Sequence, residues 1–314
     1  MRARIAALKI VFFGTPEFAM PSLRGLIASR HDVSLVVAQP DRPSGRGMKL
    51  RSPPTILEAR SAGIECLQPA KVRDGAFLDR LRASTPDLGV VIAYGRILPA
   101  ALLQIPSKGF LNVHASLLPA YRGAAPIQRA LEAGERETGV TIMRVDEELD
   151  HGPVLATATL PISEEERMPE LSARLAEAGA SLLLDVIDAI ERGGVAEVEQ
   201  DHARATHAAK LEKTEGRIDW SAPARTIYNR FRAFDPWPGV FFEAGSEVVK
   251  VVDMQISEAS GTPGEILSAG NRTAVIATGE RSLELLQVKR PGKPSADAAE
   301  YLRSRSLRPG DLVT

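Results

Sequence analysis

The sequence has a single cysteine, Cys66, no run of 18 or more apolar residues and no excess of either charge. One cysteine rules out an intrachain disulfide and a cysteine-based zinc site, and it fits a reducing cytoplasm. Without a long apolar run, no segment is expected to cross a membrane as a helix. Lys plus Arg (39) is offset by Asp plus Glu (40), so the molecule is not the uniformly basic object that binds nucleic acid nonspecifically. Any attraction for RNA has to come from local patches. GxGxxG is also missing, since the turn after the first apolar run reads GTPEF, and so are HxH and HExxH. Neither a dinucleotide fingerprint nor a metal site is therefore expected. There is no internal repeat and no low-complexity tract.

What is present suggests two domains, because 314 residues exceed one average domain. The first residues place basic side chains before an apolar stretch, as a signal peptide does. That stretch is short, β-branched and runs into Gly-Thr-Pro without a small-residue cleavage site, so residues 8–14 read as a first strand. A helix is expected over 16–29, with Thr15 as N-cap and Pro16 at its first position. Strands over 33–39, 64–68, 88–93 and 110–114 then alternate with helices over 55–62 and 75–83. Continuous apolar runs such as LGVVIA are those of strands buried on both faces. The alternation predicts an α/β fold, an open, mostly parallel sheet whose ligands sit beyond the carboxyl ends of the strands. Leucine spacing from Met168 to Arg192 is helical and stops at Gly193-Gly194. Residues 193–209 are polar and small and read as a linker. Beyond them, short β-rich stretches over 239–243, 247–254, 264–267, 273–278 and 282–288 are parted by Gly, Pro, Ser and Asn turns, the pattern of a small β-barrel or sandwich. The expected domains are thus 1–192 and 210–314.

The informative stretch is GFLNVHASLLPAYRGAAPIQRA, Gly109 to Ala130. A strand there delivers Asn112 and His114 on one face at its carboxyl end. An amide donor and an imidazole suit the stabilisation of an oxyanion in acyl transfer. Asp150, in EELDHG after a strand over 141–145, could orient His114 or carry a proton. On spacing alone Asn-x-His is more often a turn or a satisfied polar pair. His31, His202 and His207 fall in turn or linker stretches and are expected to be solvated.

The string NVHASLLPAYRGAAPIQRA resembles the signature of the folate-dependent formyltransferases, in which Asn, His and a later Asp in LDxG form the catalytic set. Neighbouring strings are similar to the methionyl-tRNA branch of that family: FFGTPEFA, QPDRPSGRGMKL, VIAYGRILP, ETGVTIMRVDEELDHGPVL, KLEKTEGRIDW and FRAFDPWPG. The similarity runs in order along nearly the whole chain. It departs at His151, where a smaller Thr or Ala would be expected after the Asp.

The resemblance implies a Rossmann-like domain followed by an OB-fold-like β-barrel that binds tRNA. The implied activity is transfer of a formyl group from 10-formyltetrahydrofolate, without a metal, to the amino group of initiator Met-tRNA. Asn112, His114 and Asp150 would be catalytic. Ser116, Leu117, Leu118 and Pro119 would contact the folate, with Tyr94, Gly95 and the loop from Asp146 to Asp150 lining its pteridine slot. Transfer to a small amine or amino sugar nucleotide, hydrolysis of the formyl donor, and a noncatalytic binding module remain as rivals. For RNA, the segment from Pro40 to Pro54 carries Arg42, Arg46, Lys49 and Arg51 against Asp41 alone, and its Pro and Gly content reads as a loop on the ligand side of the sheet. Lys289, Arg290 and Lys293 form a second cluster. The expected partners are initiator Met-tRNA and the folate co-substrate, with no membrane, and the expected state is a cytoplasmic monomer.

Overall fold

The apolar run ending at Gly14 becomes β1 (Lys9–Gly14), an interior strand of a seven-stranded sheet. The structure is a computed structural model that describes residues 7–44, 49–245 and 247–314. It packs into two units. The first comprises Met1–Pro126, Glu137–Ile162 and Leu171–Ala209; the second comprises Ile127–Arg136, Ser163–Glu170 and Lys210–Thr314.

In the first unit, β1 is followed by α1 (Met20–Ala28), β2 (Asp32–Val37), β3 (Arg42–Ser44), β4 (Lys49–Arg51), α2 (Pro54–Ser61), β5 (Glu65–Leu67), α3 (Gly75–Ala83) and β6 (Leu88–Ile92). Then come α4 (Ala100–Leu103), β7 (Phe110–His114), β8 (Arg122–Gly123), α5 (Pro126–Ala133), β9 (Glu137–Arg144), β10 (Val154–Pro161), α6 (Met168–Glu191) and β11 (His207–Ala208), with α5 and α6 passing between units. The sheet order is β10-β9-β7-β6-β1-β2-β5. The five strands from β7 to β5 are parallel, and β9 runs against β7 and β10. From β1 the chain first builds toward β5 and later toward β7, so the order reverses between β1 and β6, where such sheets open a crevice at their carboxyl ends.

Strand alternation sorts the apolar side chains onto two faces. Ile10, Phe12, Val36, Val90 and Leu111 meet Leu23 of α1, Ile56 of α2 and Leu183 of α6. Val11, Phe13, Leu35, Val91 and Phe110 meet Phe77 and Leu81 of α3 and Leu102 of α4. Both faces are covered, as the unbroken apolar runs require.

Some details differ from the sequence reading. The first helix starts at Met20 after a short 3-10 turn, and Pro21, which has no N–H to leave unsatisfied, lies in its first turn. Thr15 is not its cap; its hydroxyl accepts from Gln39 N at 3.2 Å. His31 is buried, not solvated. Its Nδ1 accepts from Leu8 N at 3.2 Å and its Nε2 lies 3.4 Å from Asp188. The basic segment after β2 is a two-stranded ribbon, β3 against β4, where a loop was expected. The stretch 193–209 is not a free linker. Val198 pairs with Val154, and β11 runs parallel to β8, so backbone pairing ties this polar stretch to the first unit.

The second unit holds α7 (Ala224–Ala233), β12 (Phe241–Ala244), β13 (Glu247–Ser257), β14 (Ile266–Ala269), β15 (Ala274–Ala277), β16 (Ser282–Lys289), β17 (Ser295–Asp297) and α8 (Ala298–Ser304). Its antiparallel sheet has the order β12-β13-β16-β15-β14, with β17 added on β16, and makes a small barrel-like domain. Trp220, Phe242 and Tyr301 centre its core in edge-to-face contacts. Among the described residues, no helix is long and apolar enough to cross a membrane.

Candidate active site

The carboxyl end of β7 presents Asn112 and His114, separated by the inward Val113 that anchors the strand in the core. Asp150 reaches them from the loop between β9 and β10. Asn112 Nδ2 donates to Asp150 Oδ1 at 3.3 Å, and His114 Nδ1 lies 3.6 Å from the same oxygen. The second carboxylate oxygen accepts from Gly123 N at 2.8 Å. The His114 and Asp150 side chains are only 6% and 11% exposed, so their interaction is poorly screened.

One short segment holds both groups. His114 Nε2 lies 2.9 Å from the carbonyl of Tyr121, and a carbonyl can only accept. That contact assigns a proton to Nε2 and leaves Nδ1 facing Asp150. Two residues on, Gly123 supplies its N–H to Asp150. The segment is itself pinned to the stretch near β11: Tyr121 N donates to Thr206 Oγ1 at 2.8 Å and Arg122 N to Thr206 O at 2.9 Å. Gly123 has φ +118°, and a Cβ there would sit 2.8 Å from Ala208 O, so only glycine fits without strain.

Asn112, His114 and Asp150 are thus brought together. Of the residues expected to contact folate, Ser116 is fully buried and its hydroxyl donates to Ala120 O at 2.6 Å, so its side chain builds the turn. Thr141 Oγ1 ties the turn down, donating to Ser116 O at 2.7 Å and accepting from Leu118 N at 3.1 Å. The Tyr94 ring is a core side chain 5.3 Å from Phe13, and burial pushes its phenol pKa up. Its main chain, with Gly95 at φ +79°, forms the turn after β6, and its carbonyl accepts from Gln39 Nε2 at 3.0 Å. In the ribbon, Arg42 and Arg51 are exposed and paired in register, Lys49 lies in β4, and Arg46 lies outside the described residues. In the second unit, Lys289 and Arg290 line a groove of about 440 Å³ together with Lys250 and Arg167. Lys293 is exposed beside it in sequence, its N–H donating to Arg290 O at 3.2 Å.

Residues 8–187 match the formyl transferase family and residues 210–306 match the formyl transferase C-terminal domain. The chain belongs to the formyltransferase family. The methionyl-tRNA formyltransferase of Citrifermentans bemidjiense is 44% identical over 98% of this chain and 97% of its own length. That of Thermus thermophilus is 43% identical over 96% and 98%. Among solved structures, an N-formyltransferase from Helicobacter canadensis bound to folinic acid and dTDP-3-aminofucose has a TM-score of 0.69 at 16% identity, covering 90% of this chain and all of that one. HypX from Aquifex aeolicus in complex with tetrahydrofolic acid has a TM-score of 0.65 at 19% identity, covering 98% of this chain and 51% of that longer one. At these identities the two structures establish a shared fold.

Sequence reading missed the residues that hold this formyltransferase's Asp150. Tyr121, Arg122 and Gly123 stand inside the quoted signature string, but nothing in it says that a carbonyl and an N–H do the work. Gln200 and Thr206 lie in the stretch read as a linker.

Proposed function

We propose that this chain transfers the formyl group of 10-formyltetrahydrofolate to the free amino group of methionyl initiator tRNA, acting as a cytoplasmic monomer. The observation that carries this reading is the meeting of Asn112, His114 and Asp150 at the carboxyl end of β7. The full-length similarity to methionyl-tRNA formyltransferases supports that acceptor over a small amine.

An α-amino group titrates at about 7.7–8.0, so an appreciable part of the acceptor is already nucleophilic near neutral pH. What remains is to stabilise charge on the formyl oxygen and to move one proton. As the amine nitrogen bonds to the formyl carbon, the Asn112 amide and a proton on His114 Nδ1 are the donors for that oxygen. Asp150 takes the surplus amine proton, directly or through water, and returns it to the nitrogen that leaves when its bond to the formyl carbon breaks. The folate supplies the formyl carbon. The turn from Ser116 to Pro119, the main chain at Tyr94-Gly95 and the loop from Asp146 to Asp150 form its slot. Arg42, Arg46, Lys49 and Arg51 meet tRNA phosphates from the first unit, and Lys289, Arg290 and Lys293 from the second.

The test is transfer of labelled formyl to initiator Met-tRNA, elongator Met-tRNA, free methionine and a small amine. Label on initiator Met-tRNA alone is expected. Label on the small amine, or release as formate in its place, would give the reaction to one of the rival activities.

A further inference from the structure

We propose that Gln200 is a positioning residue for Asp150, a role that rests on reading Asp150 as the proton-transfer group. The loop between β9 and β10 has no regular hydrogen-bond ladder, and Asp150 sits in it at φ +51°, a region few residues other than glycine adopt. The loop's own contacts centre on Asp146, whose carboxylate accepts from Glu148 N at 3.0 Å and lies 2.8 Å from His151 Nδ1, and neither reaches Asp150. Gln200 Nε2 donates to Asp150 O at 3.0 Å and to Gly152 O at 2.7 Å, so one amide group clamps the carbonyls on either side of His151.

The clamp cannot turn round. Gln200 Oε1 accepts from Arg122 Nε at 3.1 Å and Nη2 at 2.7 Å, and a guanidinium has only donors to offer. The amide oxygen therefore faces Arg122, and the amide nitrogen faces the loop. Gln200 is 6% exposed, and its backbone is placed by the reciprocal hydrogen bonds of Val198 and Val154 at 2.8 and 2.9 Å. Arg122 in turn precedes Gly123, whose N–H holds the Asp150 carboxylate. Asp150 is thus gripped at both ends, by Gly123 on its side chain and by Gln200 on its carbonyl, and the two grips are joined through Arg122. Without the second grip the loop keeps the carboxylate but not its direction toward His114.

The test uses the full-length enzyme with two substitutions. Gln200→Met keeps the volume and removes all four hydrogen bonds. Gln200→Glu keeps an acceptor for Arg122 and, ionised, cannot donate to the carbonyls. Because a displacement of about 1 Å at a reacting group can cost on the order of 100-fold, both should lower kcat by roughly 10- to 100-fold, with KM for Met-tRNA and for the folate nearly unchanged. In an Asp150→Ala background, assayed at high enzyme, the same substitutions should cost almost nothing, since there is no carboxylate left to aim. Normal kcat in Gln200→Glu overturns the proposal, as does a loss confined to KM or an undiminished loss in the Asp150→Ala background. If Gln200→Met does not fold, Gln200→Glu decides alone. Full activity of Asp150→Ala by itself would instead remove the reading of Asp150 on which the proposal rests.

Discussion

Replacing Asp150 by Asn changes the shape of the site least and its chemistry most. The carboxylate now accepts from Gly123 N at 2.8 Å and Asn112 Nδ2 at 3.3 Å, one donor on each oxygen. An amide at position 150 has one oxygen and one NH₂, so whichever way it turns, one of the two donors faces another donor. Leaving that half-buried donor unpaired costs up to about 1–3 kcal/mol. The negative charge 3.6 Å from His114 Nδ1 is also lost. The amide cannot take up the amine proton, and removing a positioned acid–base group lowers rate by about 10²- to 10⁴-fold. The expected outcome is a fall of that size in kcat, with KM for Met-tRNA and folate nearly unchanged. Single-turnover transfer of labelled formyl, with folate binding measured separately by fluorescence, distinguishes the two parameters. Turnover of Asp150→Asn within about threefold of wild type takes Asp150 out of the proton path.

Gly123→Ala should cost about 1–3 kcal/mol of local strain, because a Cβ there meets Ala208 O at 2.8 Å; kcat should fall with it, and an unchanged melting curve and rate would show that the segment tolerates a side chain. Neutralising Arg42, Arg46, Lys49 and Arg51 together should raise KM for tRNA and flatten the dependence of log affinity on log salt by about 1 per lost phosphate contact; an unchanged slope makes the ribbon an ordinary solvated surface. A fragment ending at residue 209 should be poorly folded, since Arg129 pairs with Glu215 and Glu132 with Arg230 in the second unit, and Arg232 donates to Ser163 O and Glu166 O; a cooperative melt of this fragment near that of the full chain would contradict it. Hydrogen bonds from Arg129 hold the Glu215 carboxyl below its ordinary value of 4.5, against the opposing effect of burial. A depressed carboxyl stabilises the fold above about pH 4.5, and that contribution is lost as pH falls through its folded value. Glu215→Gln should therefore melt earlier than wild type at neutral pH and approach it on acidification; equal differences at pH 7 and pH 3 would exclude this linkage.

Part of this protein is written along the chain. The runs at 10–14 and 88–93 are apolar on consecutive residues, and only a strand covered on both faces buries them, so the parallel sheet and its inward alternation follow from local pattern. The same pattern places Asn112 and His114 on one face at a strand end, because a period of two cannot do otherwise. The helix α7 was not read from the sequence, although Ala224, Ile227 and Phe231 are buried at helical spacing. Other features depend on contacts between residues far apart in the chain. The 127–136 and 163–170 segments pack with the second unit, and no local signal marks a boundary that returns to an earlier stretch. His31 lies in a polar turn but is buried because Leu8 N and Asp188 close over it. Asp150 owes its direction to an N–H from Gly123 and an amide from Gln200, residues 27 and 50 positions away. Periodicity records which face a side chain takes. The partner waiting on that face is set by how the strands and loops come together in three dimensions.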